Sequence, residues 1–261
     1  MKLLDFSYAR IKGKDIKAKG YDGVLRYLSY TPGKNLSKEE IKDYHANGLG
    51  IGVVWETTAR RTLSGKEGGL SDATEALKQS NALGFPSTKP IYFAVDFDVA
   101  EKYQIFIDDY LTACASVIGA ERVGVYGSYY VIERCFSNKT ASWFWQTLAW
   151  SKKQVSTHNH IYQNGKTPGF PNTDENESKE IWGGWYYDAK LASESVSTSN
   201  DTSMPTSEIK TLPATSTQAT AHTVTQQELN TMEKQGLSSE PDVIDNLITK
   251  ILKWIAKLWN K

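Results

Sequence analysis

The chain is poor in the features that mark disulfide scaffolds, membrane proteins and nucleic-acid binders. Only two cysteines, Cys114 and Cys135, occur in 261 residues. With no Cys-rich context they read as reduced thiols on helical segments, not as a covalent framework. No stretch approaches the ~20 uncharged apolar residues of a membrane span. Basic and acidic residues both number 30, so no global field recruits nucleic acid and any basic preference must be local. No G-x-G-x-x-G follows the first strand-like run and no P-loop pattern occurs, which leaves nucleotide binding unsupported. The first residues, MKLLDFSYARIKGKD, reach a carboxylate at position 5 without the apolar run of a secretory signal. The expectation is a product made in the cytoplasm.

Aromatic residues, by contrast, are plentiful. Eight Trp and fourteen Tyr can build a core, and they also supply flat apolar platforms for sugars or peptides. Composition breaks near residue 192. Residues 193–238 are dominated by Ser and Thr and hold too little apolar surface to offset chain entropy, so they read as a flexible linker. Residues 239–261 regain helical periodicity through Ile244, Leu247, Ile248, Ile251, Leu252, Ile255, Leu258 and Trp259, with Asp242 and Asp245 at the start and Lys257 and Lys261 at the end. That pattern predicts an amphipathic helix able to lie on an anionic membrane, to self-associate or to dock back on the preceding domain.

Residues 1–192 alternate strand-like and helix-like runs. KLLDFSYA, GVLRYLSY, LGIGVVWETT, PIYFAVDFD, RVGVYGSYY, SWFWQTLAW, HNHIYQNG and GGWYYDAKLA give about eight strands. Ser37 with Glu40 forms a capping box opening a helix that Gly48 closes, and Gly84 closes another. Such alternation implies parallel strands with right-handed crossovers, and eight units suggest a closed (β/α)8 TIM-like barrel, with a doubly wound open sheet as the alternative.

Barrel chemistry is built at the C-terminal strand ends. Asp5 lies on the first strand, Arg26 on the second, Glu56 after the third, Asp96 and Asp98 at the end of the fourth, Tyr126 on the fifth, Trp150 on the sixth, Gln163 on the seventh and Asp188 on the eighth. Asp96 and Asp98, two residues apart, are expected on one face at the mouth. Crowded carboxyls raise one another's pKa, so that one stays protonated as an acid while another stays ionised, the pairing that glycosidic hydrolysis requires. Asp5, Glu56, Asp96, Asp98 and Asp188 are therefore the candidate catalytic residues. Arg26, Tyr126, Trp150, Gln163 and Tyr187 are candidates for holding substrate. No metal or other cofactor is expected: the H-x-H of His158 and His160 lacks an identifiable third ligand, and no G-x-S-x-G surrounds the serine of SYYVIERC.

Together DFS, GVLRYL, ALGFPSTKPIYFAVDFD, GVYGSYYVI and WYYDAKLA resemble the bacterial glycoside-hydrolase-like TIM-barrel domain family of unknown function. The layout is similar to that of the glycoside hydrolase family 25 muramidases. The resemblance spans about residues 3 to 192 and implies cell-wall glycan as the substrate class. The muramidase pattern, carried over, matches Asp5 on the first strand, a D-x-E at Asp96 and Asp98, and a last-strand acid at Asp188; position 98 departs from it, being Asp where the pattern has the Glu general acid. With its linker and tail the whole chain resembles a phage endolysin, acting on the bacterial wall after phage-mediated release. A non-catalytic carbohydrate-binding barrel, and an effector whose C-terminal helix acts on membranes, stay open beside it.

Overall fold

A computed structural model describes residues 1–166 and 168–187. The expected linker, the C-terminal helix with its membrane and self-association readings, and Asp188 lie outside the described residues. Eight strands close into one barrel in sequence order. They are β1 (Lys2–Asp5), β2 (Gly23–Leu28), β3 (Gly50–Trp55), β4 (Ile91–Ala94), β5 (Val123–Gly127), β6 (Trp143–Thr147), β7 (Ile161–Gln163) and β8 (Asp174–Ser178). Helices α1 (Gly13–Ala18), α2 (Lys38–Ala46), α3 (Gly65–Ala82), α4 (Gln104–Ile118) and α5 (Tyr129–Asn138) follow the first five strands. The α2 capping box forms as expected: Ser37 Oγ accepts from the Glu40 N–H, while Glu40 accepts from the Ser37 N–H. Both cysteines are free and buried, on α4 and α5.

The expectation of an all-parallel barrel needs one correction. Strands β1 to β7 run parallel, but β8 pairs antiparallel with both β7 and β1. No helix separates β6, β7 and β8 among the described residues; residues 148–160 still carry the chain back for β7 to pair parallel with β6, whereas β8 returns antiparallel after the shorter stretch 164–173. The last strand is also a different segment from the one expected at GGWYYDAKLA: Asp174–Ser178 closes the barrel.

Residues 182–187 cross the barrel floor. Gly23 and Gly52 leave the room: a Cβ at either would lie 2.9 Å from the Trp182 ring. Trp182 is buried there with Leu3, Leu25, Val54, Tyr92, Ala94, Trp145 and Ile161 as the barrel core, and its carbonyl accepts from the Tyr92 hydroxyl at 3.0 Å. Trp185 and Ile51 exchange backbone hydrogen bonds at 2.9 and 2.8 Å. With the floor closed by apolar packing, the C-terminal ends of the parallel strands form the open end.

Candidate active site

Side chains alternate along a strand, so one set of positions points inward on every strand. At the open end this set is Asp5, Tyr27, Glu56, Asp96, Tyr126, Gln163 and Asp174, which with Val54, Ala94 and Trp145 line a cleft of about 160 Å³. Four carboxyl groups, from four different strand ends, share that space.

Asp5 is the most constrained. It is 3% exposed, and both Gln163 Nε2 at 3.0 Å and Asn176 Nδ2 at 2.7 Å donate to its Oδ2. Those donors are held in turn: Asn176 Oδ1 accepts from Trp145 Nε1 at 2.8 Å, and Gln163 Oε1 accepts from the hydroxyls of Tyr126 and Thr147 at 2.9 Å each. Burial pushes the Asp5 carboxyl up to about 7, opposed by the Asn176 bond and reinforced by the nearby charge of Asp174. Asp96 is likewise raised, first by burial and then by Glu56, with Lys34 acting in the opposite sense. Burial also raises Asp174. Glu56 meets Lys34 Nζ at 3.1 Å. The two acids on the β3 and β4 loops are tied together by backbone, since the Asp96 N–H donates to the Ala59 carbonyl at 3.2 Å.

Of the residues expected from sequence, Asp5, Glu56, Asp96, Tyr126 and Gln163 meet in this cleft. Four others are placed elsewhere. Asp98 is exposed and does not line the cleft: β4 ends at Ala94, and the alternation carries only as far as Asp96. Arg26 has the opposite parity to Tyr27 and is buried outside the barrel wall, donating to Glu40 Oε1 at 3.1 Å and to the carbonyls of Phe6 and Ser7. Trp150 sits in the loop after β6, not on the strand. Tyr187 lies beyond the floor, its ring 6.1 Å from that of His45 at the end of α2. The H-x-H is packing: His158 stacks on Phe136 at 3.5 Å, and His160 Nδ1 accepts from the Phe144 N–H at 3.1 Å.

Asp174, Asn176 and Tyr27 belong to the site without having been singled out as its members, and of the aromatic residues of SWFWQTLAW it is Trp145 that reaches the cleft. Asp174 takes the place expected of a last-strand acid. Because β8 runs antiparallel, its first residue, not its last, stands at the open end.

Residues 14–178 match the family described as Rv2525c-like, glycoside hydrolase-like domain. A curated relative named "Putative peptidoglycan hydrolase Rv2525c", from Mycobacterium tuberculosis, is 31% identical over 174 residues, 62% of this chain and 72% of that protein. The crystal structure of Rv2525c, a Tat-secreted protein, superposes with a TM-score of 0.65 at 29% identity, covering 70% of this chain and 98% of the other. A muramidase from Trichobolus zukalii shares the fold at 13% identity, with a TM-score of 0.50 over 69% of this chain and 94% of its own. Secretion of Rv2525c overturns the expectation of a cytoplasmic product without a signal that waits for phage release.

Proposed function

The chain belongs to the Rv2525c-like, glycoside hydrolase-like domain family, and on that premise we propose that it hydrolyses the glycan strands of bacterial peptidoglycan as a muramidase-type glycosidase. The observation that carries this reading is the convergence of Asp5, Glu56, Asp96 and Asp174 on one cleft walled by Tyr27, Tyr126 and Trp145. Glycosidic cleavage needs a protonated carboxyl at the leaving oxygen and a carboxylate near the developing oxocarbenium ion. Asp96, half-buried and raised by burial, is suited to donate the proton. Glu56, paired with Lys34, is the carboxylate on the neighbouring strand end. In the balanced step the Asp96 proton passes to the glycosidic oxygen, water adds to the anomeric carbon, and the water's spare proton passes to carboxylate. Asp5 and Asp174 supply the surrounding field, and the aromatic walls offer sugar rings an apolar face. Export in the manner of the Tat-secreted relative is the route this reading adopts to reach the wall.

One observation favours a second reading. Asp98, at the position where the muramidase pattern carries its acid, stands outside the cleft, as it would in a barrel that binds glycan without cutting it. Incubating the full chain with purified peptidoglycan separates the two. New reducing ends, with fragment masses ending in muramic acid, are expected of the hydrolase; saturable binding without new ends would overturn it in favour of the binding barrel.

A further inference from the structure

The loop leaving β6 carries unusual backbone and unusual charge. Trp150, Lys152 and Lys153 adopt φ of 56°, 47° and 64°, left-handed values that cost non-glycine residues energy and persist where the surroundings hold them. The holding group is Ser151, fully buried: its hydroxyl donates to the Thr147 carbonyl at 2.6 Å and accepts from the Tyr129 N–H at 2.8 Å. Gln154 completes the brace, its N–H donating to the Ser151 carbonyl at 2.8 Å and its side-chain amide to the Tyr130 hydroxyl at 2.8 Å. The loop thus keeps Leu148 and Trp150 in solvent, 39% and 38% exposed.

Around it are cations without counter-ions. Lys152 Nζ lies 5.5 Å from the Tyr130 ring centre and the Arg134 guanidinium 5.9 Å from it. Among the described residues no carboxylate comes within 4.0 Å of Lys152, Lys153 or Arg134, whereas Lys2, Lys34 and Lys166 are each paired. The patch is hydrogen-bonded to the cleft wall at the end of β6 and to the segment that follows β4. Thr147, where the loop starts, donates to cleft residue Gln163, and Arg134 donates to the carbonyl of Val99, three residues beyond Asp96.

We propose that this loop, with Tyr130 and Arg134, is a subsite for the carboxylate-bearing peptide substituents of the glycan, an inference that rests on the peptidoglycan reading above. The acidic cleft offers an anionic substituent no counter-charge beyond Lys34, which Glu56 already pairs, and the basic rim attracts it. Sorting by charge places the sugars in the acidic cleft and the peptide on the rim, which sets the register in which a strand is held. Trp150 and Leu148 provide the apolar surface for the peptide's side chains.

The test uses the full chain, titrated calorimetrically with a soluble disaccharide-peptide fragment and with the same fragment after amidation of its peptide carboxylates. The native chain is expected to prefer the free acid roughly five- to ten-fold at low salt, as two or three rim charges allow. Lys152→Gln with Lys153→Gln, both exposed, should abolish that preference and leave affinity for the amidated fragment unchanged, and high salt should mimic the substitutions. Equal affinity of the native chain for both fragments, or a preference surviving in the double variant, overturns the subsite while leaving the glycan reading intact. Failure of the folded native chain to bind either fragment overturns both.

Discussion

Asp5 and Asp174 face one another across the seam where parallel β1 meets antiparallel β8, and both open into the same cleft. One of these acids is almost fully buried, and the charge of Asp174 adds to the cost of ionising it. Amide donors from Gln163 and Asn176 moderate it.

The cost of ionising Asp5 is expected to appear in stability. Its folded pKa, about 7, stands above its ordinary value of 3.8, so the folded chain binds this proton more tightly than the unfolded one. Stability therefore falls as pH rises from about 4 through 7 and levels off above. Asp5→Asn should match the native chain closely near pH 4 and exceed it at pH 8, by on the order of a few kcal/mol before any packing cost of the amide. Urea unfolding at the two pH values measures this; a difference that does not change with pH would contradict the account.

Charges around Asp96 should move the alkaline limb of activity in opposite directions. A general acid loses activity as pH rises through its pKa. Lys34 lowers that pKa and Asp174 raises it. Lys34→Met is accordingly expected to shift the limb of kcat/KM to higher pH, and Asp174→Asn to lower pH, whatever either does to the maximal rate. Limbs that move together, or not at all, would remove Asp96 from the role of acid.

Arg26 is predicted to matter for stability without discriminating among substrates. Its guanidinium is fully buried and bonds Glu40 and the Phe6 and Ser7 carbonyls. Arg26→Met leaves those acceptors short of a donor, a loss of about 3 kcal/mol, or roughly 6 to 12 °C in Tm for a domain of this size. Thermal unfolding reads the loss. A stable variant with a raised KM would return Arg26 to the substrate.

The parts of this site visible in the sequence are those where local rules and tertiary structure agree. Ser37, Glu40 and Gly48 delimit a helix by capping chemistry alone, and Asp5, Glu56, Asp96, Tyr126 and Gln163 are found by following apolar strands to their ends. Arg26 was misplaced although its parity was readable: Leu25 faces the core and Tyr27 the cleft, so the residue between them faces the helices. Asp98 required knowing that pairing stops at Ala94, a tertiary fact. Asp174 was hidden more deeply. DENES has almost no apolar content, and its strand is held by neighbours on both sides and not by its own periodicity. The run at 182–187 had the aromatic content of a strand, yet Gly183 and Gly184 let it turn beneath the barrel and close the floor.

The measurement that bears most directly on the account is the rate at which new reducing ends appear in purified peptidoglycan treated with the native chain, Asp96→Asn and Asp98→Asn, each verified as folded. The cleft geometry predicts a loss of about 100-fold or more for Asp96→Asn, the scale of removing a general acid, and a change of no more than a few-fold for Asp98→Asn. Undiminished cleavage by Asp96→Asn, with activity lost in Asp98→Asn, would contradict it and give the acid's role to the residue outside the cleft.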